Sequence, residues 1–230
     1  MKMLGLIGGT TYVSTIEYYR TLNQMANEKL GGVDAARLLL WSLNFGDLQR
    51  NNLVGDQEAN FKLILEAGTR LESAGAAGIM ICANTLHMFA DRLGNELTVP
   101  IINLMSATVE EAKRQNLKSL LLLGTKYTMN GAFYHEPFEA AGIRLVVPEI
   151  DAQEHIHRAI YEEMSINIFS DSCKRFVTGL IEESARNGVE GVIMGCTEIP
   201  VLLQGYESPI PLLDTALEHC KAAIRFATRD

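Results

Sequence analysis

Short apolar runs alternate along the chain with longer stretches in which apolar residues recur every three or four positions. Met3–Gly8, Ala36–Leu43, Gly78–Cys82, Ser119–Gly124, Ile143–Val147 and Gly191–Gly195 are runs of this first kind, with Pro209–Leu213 a weaker seventh. Short runs without polar alternation are the signature of strands buried on both faces. The amphipathic stretches Val13–Glu28, Gln57–Ala74, Ser106–Gln115, Asp151–Met164, Ser172–Asn187 and Asp214–Thr228 predict helices. Strands of this type alternating with helices predict parallel sheets with helices on their faces. Pro and Gly stand singly at turns, and no low-complexity linker interrupts the alternation.

A weak internal repeat organises these elements. Leu4-Gly5-Leu6-Ile7-Gly8-Gly9-Thr10 resembles Leu120-Leu121-Leu122-Leu123-Gly124-Thr125-Lys126, and Ala74-Gly75-Ala76-Ala77-Gly78-Ile79-Met80 resembles Asn187-Gly188-Val189-Glu190-Gly191-Val192-Ile193. The two matches fall at nearly one offset, which predicts two similar halves. The expected class is α/β: two pseudo-symmetric three-layer α/β domains with parallel sheets and an interdomain cleft. The first would comprise residues 1–98 plus 208–230, closed by the last strand and helix, and the second residues 99–207. Ligands of open α/β sheets bind beyond the carboxyl ends of strands, so paired strand-end loops are expected to share one cleft.

Composition narrows the function. With 28 Asp+Glu against 20 Lys+Arg and a net charge of −8, the chain lacks a nucleic-acid footprint. No apolar stretch approaches the roughly 20 residues of a membrane span. Met1-Lys2-Met3-Leu4-Gly5 runs straight into a strand rather than reading as a signal peptide. The cysteines Cys82, Cys173, Cys196 and Cys220 form no C-x-x-C motif, so reduced thiols in a cytoplasmic protein are expected.

Candidate chemistry sits where strands give way to helices. Gly5-x-x-Gly8-Gly9 is not the dinucleotide fingerprint, and Gly124-Thr125-Lys126 lacks the upstream glycine of a phosphate loop. Both loops would still offer backbone N–H groups to an anion. Ile81-Cys82-Ala83-Asn84-Thr85 and Met194-Gly195-Cys196-Thr197-Glu198 each follow a strand and open a helix, where Pro200 suits the first turn. A thiol in that place feels the helix dipole, which lowers its pKa. Cys196 is thus either a reactive thiol or a buried structural cysteine. Setting Gly78 on Gly191 puts Cys82 opposite Gly195 and Ala83 opposite Cys196. Because successive strand residues face opposite ways, Cys82 is then a packed residue and Ala83 the counterpart of Cys196. His155 and His157, two apart on a helix, share no face, and no metal site is expected.

These motifs together resemble the aspartate/glutamate racemase family, in its aspartate racemase-like branch. The likeness runs nearly end to end, through Gly5-Leu6-Ile7-Gly8-Gly9, Ser14-Thr15-Ile16-Glu17-Tyr18-Tyr19-Arg20, Asn84-Thr85-Leu86-His87, Leu123-Gly124-Thr125-Lys126-Tyr127-Thr128-Met129 and Gly195-Cys196-Thr197-Glu198-Ile199. The resemblance implies a cytoplasmic homodimer that racemises an acidic amino acid with no cofactor. Two cysteines on opposite faces of the α-carbon then serve as base and acid. Cys196 matches the second of them. The first falls on Ala83, which has no proton to exchange, and an assisting lysine of some relatives falls near Ser165. Thr10, Ala83, Asn84, Thr85, Thr125 and Thr197 match positions around the substrate, and either Arg50 or Asn52 is expected on its distal carboxylate. His87, Tyr12 and Thr10 are candidates for the missing acid/base, with a capping role open to His87. A charge at a helix start suffices to explain Glu198. Two other functions compete: a single-cysteine decarboxylase or isomerase of a related dicarboxylate, and a silent binding protein.

Overall fold

The computed structural model describes residues 1–229, which divide into two compact units, Met1–Asn103 with the chain from His219 onward, and Leu104–Glu218. The first unit runs β1 (Leu4–Gly8), α1 (Tyr12–Leu30), β2 (Leu38–Ser42), α2 (Phe45–Leu53), α3 (Gln57–Ser73), β3 (Gly78–Ile81), a 3-10 turn over Thr85–Phe89, and α4 (Ala90–Glu96). Its strands form a parallel sheet in the order β2-β1-β3. Ile7, Ile79 and Ile81 point to one face and pack with Phe61, Ile64, Ala67 and Leu71 of α3.

The second unit runs α5 (Leu104–Arg114), β4 (Ser119–Gly124), α6 (Lys126–Asn130), α7 (Ala132–Ala140), β5 (Arg144–Val146), α8 (Ile150–Glu162), α9 (Asp171–Arg186), β6 (Gly191–Gly195), α10 (Ile199–Leu202) and β7 (Leu212–Asp214). Its parallel sheet has the order β5-β4-β6-β7. Alternation along β4 feeds two cores. Leu121 and Leu123 join Val192, Met194, α8 and α9, while Leu120 and Leu122 join Ile193, α5 and α7. That explains why β4 and β6 are apolar throughout: both faces are covered by helices. The final helix, α11 (Thr215–Ala227), starts in the second unit and ends in the first.

The α/β class with parallel sheets is as expected, and the repeat has a structural counterpart in the register. Leu4 pairs with Gly78 in one sheet and Leu120 pairs with Gly191 in the other, so both matched segments sit in equivalent places. One expectation needs correction. The last strand does not return to the first half, because Val192, Ile193 and Met194 pair with Leu212, Leu213 and Asp214. The buried Thr215 hydroxyl then donates to the Met194 carbonyl at 3.0 Å, tying the chain to β6 for one residue more. Only the helix rejoins the first unit, and the boundaries fall at Asn103/Leu104 and Glu218/His219 rather than at 98/99 and 207/208.

Candidate active site

In the first unit, β1 ends in a loop that only glycine can build. Gly9 has φ +82°, and a Cβ there would lie 2.1 Å from the Leu43 carbonyl oxygen. The Gly9 N–H donates to Thr15 Oγ1 at 2.8 Å, and Thr11 caps α1 by accepting from the Ser14 N–H at 3.1 Å. These two N–H groups are therefore engaged within the loop and the first turn of α1. Thr10, between the two, is buried. Tyr12, another candidate acid/base, is exposed at the start of α1.

At the end of β3, Cys82 is fully buried, its N–H donating to the Ile7 carbonyl and its own carbonyl accepting from the Ser14 hydroxyl. Burial pushes its thiol pKa up, so Cys82 packs rather than reacts, in line with the register argument. Ala83 follows, half-buried, and its carbonyl accepts from Nδ1 of His87 at 2.7 Å. Asn84 and Thr85 open the 3-10 turn, Asn84 buried and Thr85 half-buried. His87 takes the capping role. Burial holds its pKa at about 4, against the smaller raising effect of its bond to Ala83, so the ring is neutral at physiological pH. The ring of His219 stands edge-on at 5.4 Å. His219 donates from Nε2 to the Ile102 carbonyl at 2.6 Å, and its Nδ1 accepts from the Tyr18 hydroxyl at 3.1 Å.

On α2, Arg50 is exposed and forms an ion pair with Asp47 one turn back. Asn52 is half-buried, and its Oδ1 accepts from Asn60 Nδ2 at 2.8 Å and from Gln57 Nε2 at 3.1 Å.

In the second unit, Thr125 is buried and caps α6, accepting from the Thr128 N–H at 3.2 Å. The Lys126 N–H donates to His157 Nδ1 at 3.4 Å. Ser165, at the place of the relatives' lysine, is buried and donates to the Tyr161 carbonyl at 2.8 Å.

Cys196 follows β6 directly. Its thiol donates to Glu198 Oε2 at 2.9 Å, and the Thr197 hydroxyl donates to the same oxygen at 2.9 Å. Here the sequence reading of a dipole-activated thiolate fails. Burial raises the Cys196 pKa well above its ordinary value, and the Glu198 charge and hydrogen bond raise it further. Backbone N–H groups of Glu198 and Thr197 oppose this without reversing it. The helix that should supply the dipole, α10, is a single turn, although Pro200 does sit in it as expected. At rest Cys196 is a protonated thiol, a donor. The residue that sequence reasoning underread is Glu198. Its signal was present in Cys196-Thr197-Glu198, where a turn after a strand folds a side chain back on one two positions earlier. Tyr161 on α8 was missed outright; its phenol is held protonated chiefly by burial, then by Tyr127 and Cys196.

These features define a two-unit α/β protein whose strand-end turns carry one protonated thiol on a buried carboxylate. The family profile described as Asp/Glu/Hydantoin racemase matches residues 7–223, and the chain belongs to that family, a family of racemases and therefore of isomerases. A candidate Asp/Glu racemase of Yersinia pestis is 36% identical, with full coverage of both chains and a TM-score of 0.91. An aspartate racemase homologue of Pyrococcus horikoshii is 34% identical, again over both full chains, with a TM-score of 0.86. The broad specificity amino-acid racemase RacX of Bacillus subtilis is 22% identical over 96% of each chain. Among the described residues no helix is long and apolar enough to cross a membrane.

Proposed function

We propose that the protein is a cofactor-independent amino-acid racemase acting on an acidic substrate, aspartate or glutamate, with Cys196 exchanging the α-proton. One observation carries this reading: a thiol at the end of a central strand donates to a buried carboxylate, in a chain that belongs to a racemase family. Racemisation without an electron sink requires an acid/base group at the α-carbon and donors around the α-carboxylate. Asn84, Thr85 and Thr10 in the first unit and Thr125 and Thr197 in the second are polar groups at strand ends, suited to the amine and carboxylate. The reading leaves Ala83 without a proton to contribute. The likeness to an aspartate racemase homologue favours an acidic substrate, whereas the more distant relative is named for broad specificity. No observation favours the decarboxylase or the silent binder.

The deciding experiment incubates the protein with L-aspartate, L-glutamate and a panel of neutral L-amino acids in deuterated water, following the α-proton signal and the enantiomer ratio. Loss of the α-proton on the acidic substrates, absent in Cys196→Ser, is expected. A wild-type protein silent on the whole panel would sink the proposal.

The reading includes a homodimer in the cytoplasm, consistent with four free cysteines. The surface that fits a second copy lies on the first unit. Tyr12, Ile16 and Tyr19 form an exposed stripe on α1, and Leu40 on β2 is half exposed beside it. Asn23, one turn beyond Tyr19, accepts from the Ala36 N–H just before β2, tying α1 to the segment that leads into the strand. β2 is also the edge of its sheet, a strand edge that invites pairing with an identical copy. Four large side chains of this kind expose on the order of 400 Å² of apolar surface per copy, the apolar core of a standard interface. Ile16→Glu is expected to turn a dimer into a monomer in sedimentation velocity. A wild-type monomer, or a variant that stays dimeric, would rule this surface out.

A further inference from the structure

Where β3 gives way to the 3-10 turn, the backbone is pinned peptide by peptide. The Cys82 N–H donates to the Ile7 carbonyl at 2.9 Å, and the Cys82 carbonyl accepts from the Ser14 hydroxyl at 3.2 Å. The next two carbonyls both end on one residue. That of Asn84 accepts from the His87 N–H at 3.0 Å, and that of Ala83 from the His87 ring at 2.7 Å. The geometry of the turn gives the ring this task. In an α-helix the Ala83 carbonyl would receive the backbone N–H four residues on, which is that of His87. A 3-10 turn spends that N–H three residues back, on Asn84, and the His87 side chain takes its place at Ala83. A carbonyl only accepts, so Nδ1 carries the ring proton. His87 is 4% exposed, and burial keeps it neutral at physiological pH. Its ring stands edge-on to His219, which is itself held at both nitrogens, by the Ile102 carbonyl and the Tyr18 hydroxyl.

We propose that His87 is the positioning residue of the substrate-holding turn: its bond to the Ala83 carbonyl sets the direction in which Asn84 and Thr85 reach the substrate. The proposal rests on the reading above, in which those two side chains contact an amino acid. The link is the peptide plane. The Ala83 carbonyl and the Asn84 Cα belong to one planar unit, so a ring that fixes the carbonyl also fixes where the Asn84 side chain departs. His87 acts through these neighbours and moves no proton.

Packing and positioning predict opposite orders for two variants of the full chain. His87→Leu keeps most of the volume and deletes the donor. His87→Asn gives up much of the ring but places an amide nitrogen where Nδ1 stands. A residue that only fills space is better replaced by Leu; one that aims the turn is better replaced by Asn. Affinity for L-aspartate is measured by calorimetry, α-proton exchange in deuterated water, and the order of the turn by 15N relaxation at Asn84 and Thr85. In His87→Leu, affinity is expected to fall about 10-fold and kcat/KM roughly 100-fold, the cost of groups displaced by about 1 Å. Order parameters at Asn84 and Thr85 should drop from about 0.85 to below about 0.6. His87→Asn should recover most of each. Should His87→Leu not fold, His87→Gln, whose donor sits one bond too far out, takes its place. Wild-type affinity and order in the donor-lacking variant, or an Asn variant no better than it, overturns the proposal. So does an Nε2–H tautomer for His87 in the 15N spectrum of the wild type. If the wild type neither binds nor exchanges an amino acid, the acidic-substrate reading falls, and the tautomer and the relaxation data alone decide whether His87 holds the turn.

Discussion

The strand ends of the two units share a register and little else. After β3, Cys82 is sealed into the core, Ala83 offers a methyl group, and His87 is committed to the Ala83 carbonyl. After β6, at the equivalent place, Cys196 holds its thiol against Glu198. The first turn is built from groups that are neutral and occupied, the second from a pair that can exchange a proton. A repeated backbone thus keeps its hydrogen-bond frame while the chemistry at its ends diverges. Under the proposed function, only the second of these turns carries a group that can move the α-proton.

The largest way to break this asymmetry is to restore the missing group. Ala83→Cys adds a sulfur to a half-buried position whose carbonyl is already fixed. If the proposed division holds, the wild type exchanges the α-proton faster than it inverts the substrate. The variant should raise inversion relative to exchange by about 100-fold or more, the usual worth of a positioned acid/base. Enantiomer ratio and deuterium content measured on one sample check this. An unchanged ratio would mean that the second face is not served from Ala83.

A second contrast lies in how the units respond to acid. The first contains His87 and His219, both buried, with pKa values of about 4 and about 3 against an ordinary 6.5. Burial lowers both, and for His219 the neighbouring His87 lowers it further. These are bases whose folded-state pKa is depressed, so the unfolded chain binds their protons first. Stability is therefore unaffected above pH about 6.5 and falls as pH drops towards about 4 and then about 3. Each unit of pKa is worth about 1.4 kcal/mol, so the pair removes several kcal/mol across that window. Urea midpoints at neutral and mildly acidic pH should show the loss. His219→Gln, whose amide still donates to the Ile102 carbonyl, should flatten it; an equal slope in the variant would remove the histidines from the account.

How much of this was legible follows from burial. β4 and β6 were readable to the residue because both faces are covered, which leaves no polar position to blur the run. α2 was not, because it is short and buries only Leu48, so no apolar stripe forms. α7 was hidden by Pro137 inside it and by Gly131 before it. β7 is three residues long and carries nothing that names its neighbour, and its return to the wrong half was expected for that reason. At the site, the position of Cys196 was legible from the strand end, and its protonation was not. That depends on how deep the turn lies and on where the Glu198 side chain swings. The Tyr18–His219 contact joins groups 201 residues apart, beyond any local pattern.

The smallest expected effect concerns the grip itself, where sequence left Arg50 and Asn52 undecided. The Arg50 charge is already answered by Asp47, and its side chain is 67% exposed. An exposed pair of this kind is worth about 0–1 kcal/mol and holds its guanidinium in no fixed place. Asn52 differs, because its Oδ1 receives Asn60 and Gln57 together, while Asn51 holds the other end of Asn60 at 2.9 Å. Two incoming donors fix which end of the Asn52 amide is oxygen, and so which end is the NH2 donor. A distal carboxylate needs such a donor, so Asn52→Ala should raise KM about 10-fold with kcat little changed, the mark of binding lost equally in ground and transition states. It should also lower stability by about 1–2 kcal/mol, because the buried Asn60 amide loses an acceptor. Arg50→Ala should leave both KM and stability near wild type. Should Arg50→Ala raise KM while Asn52→Ala does not, the guanidinium is the carboxylate ligand, and it must leave Asp47 to bind.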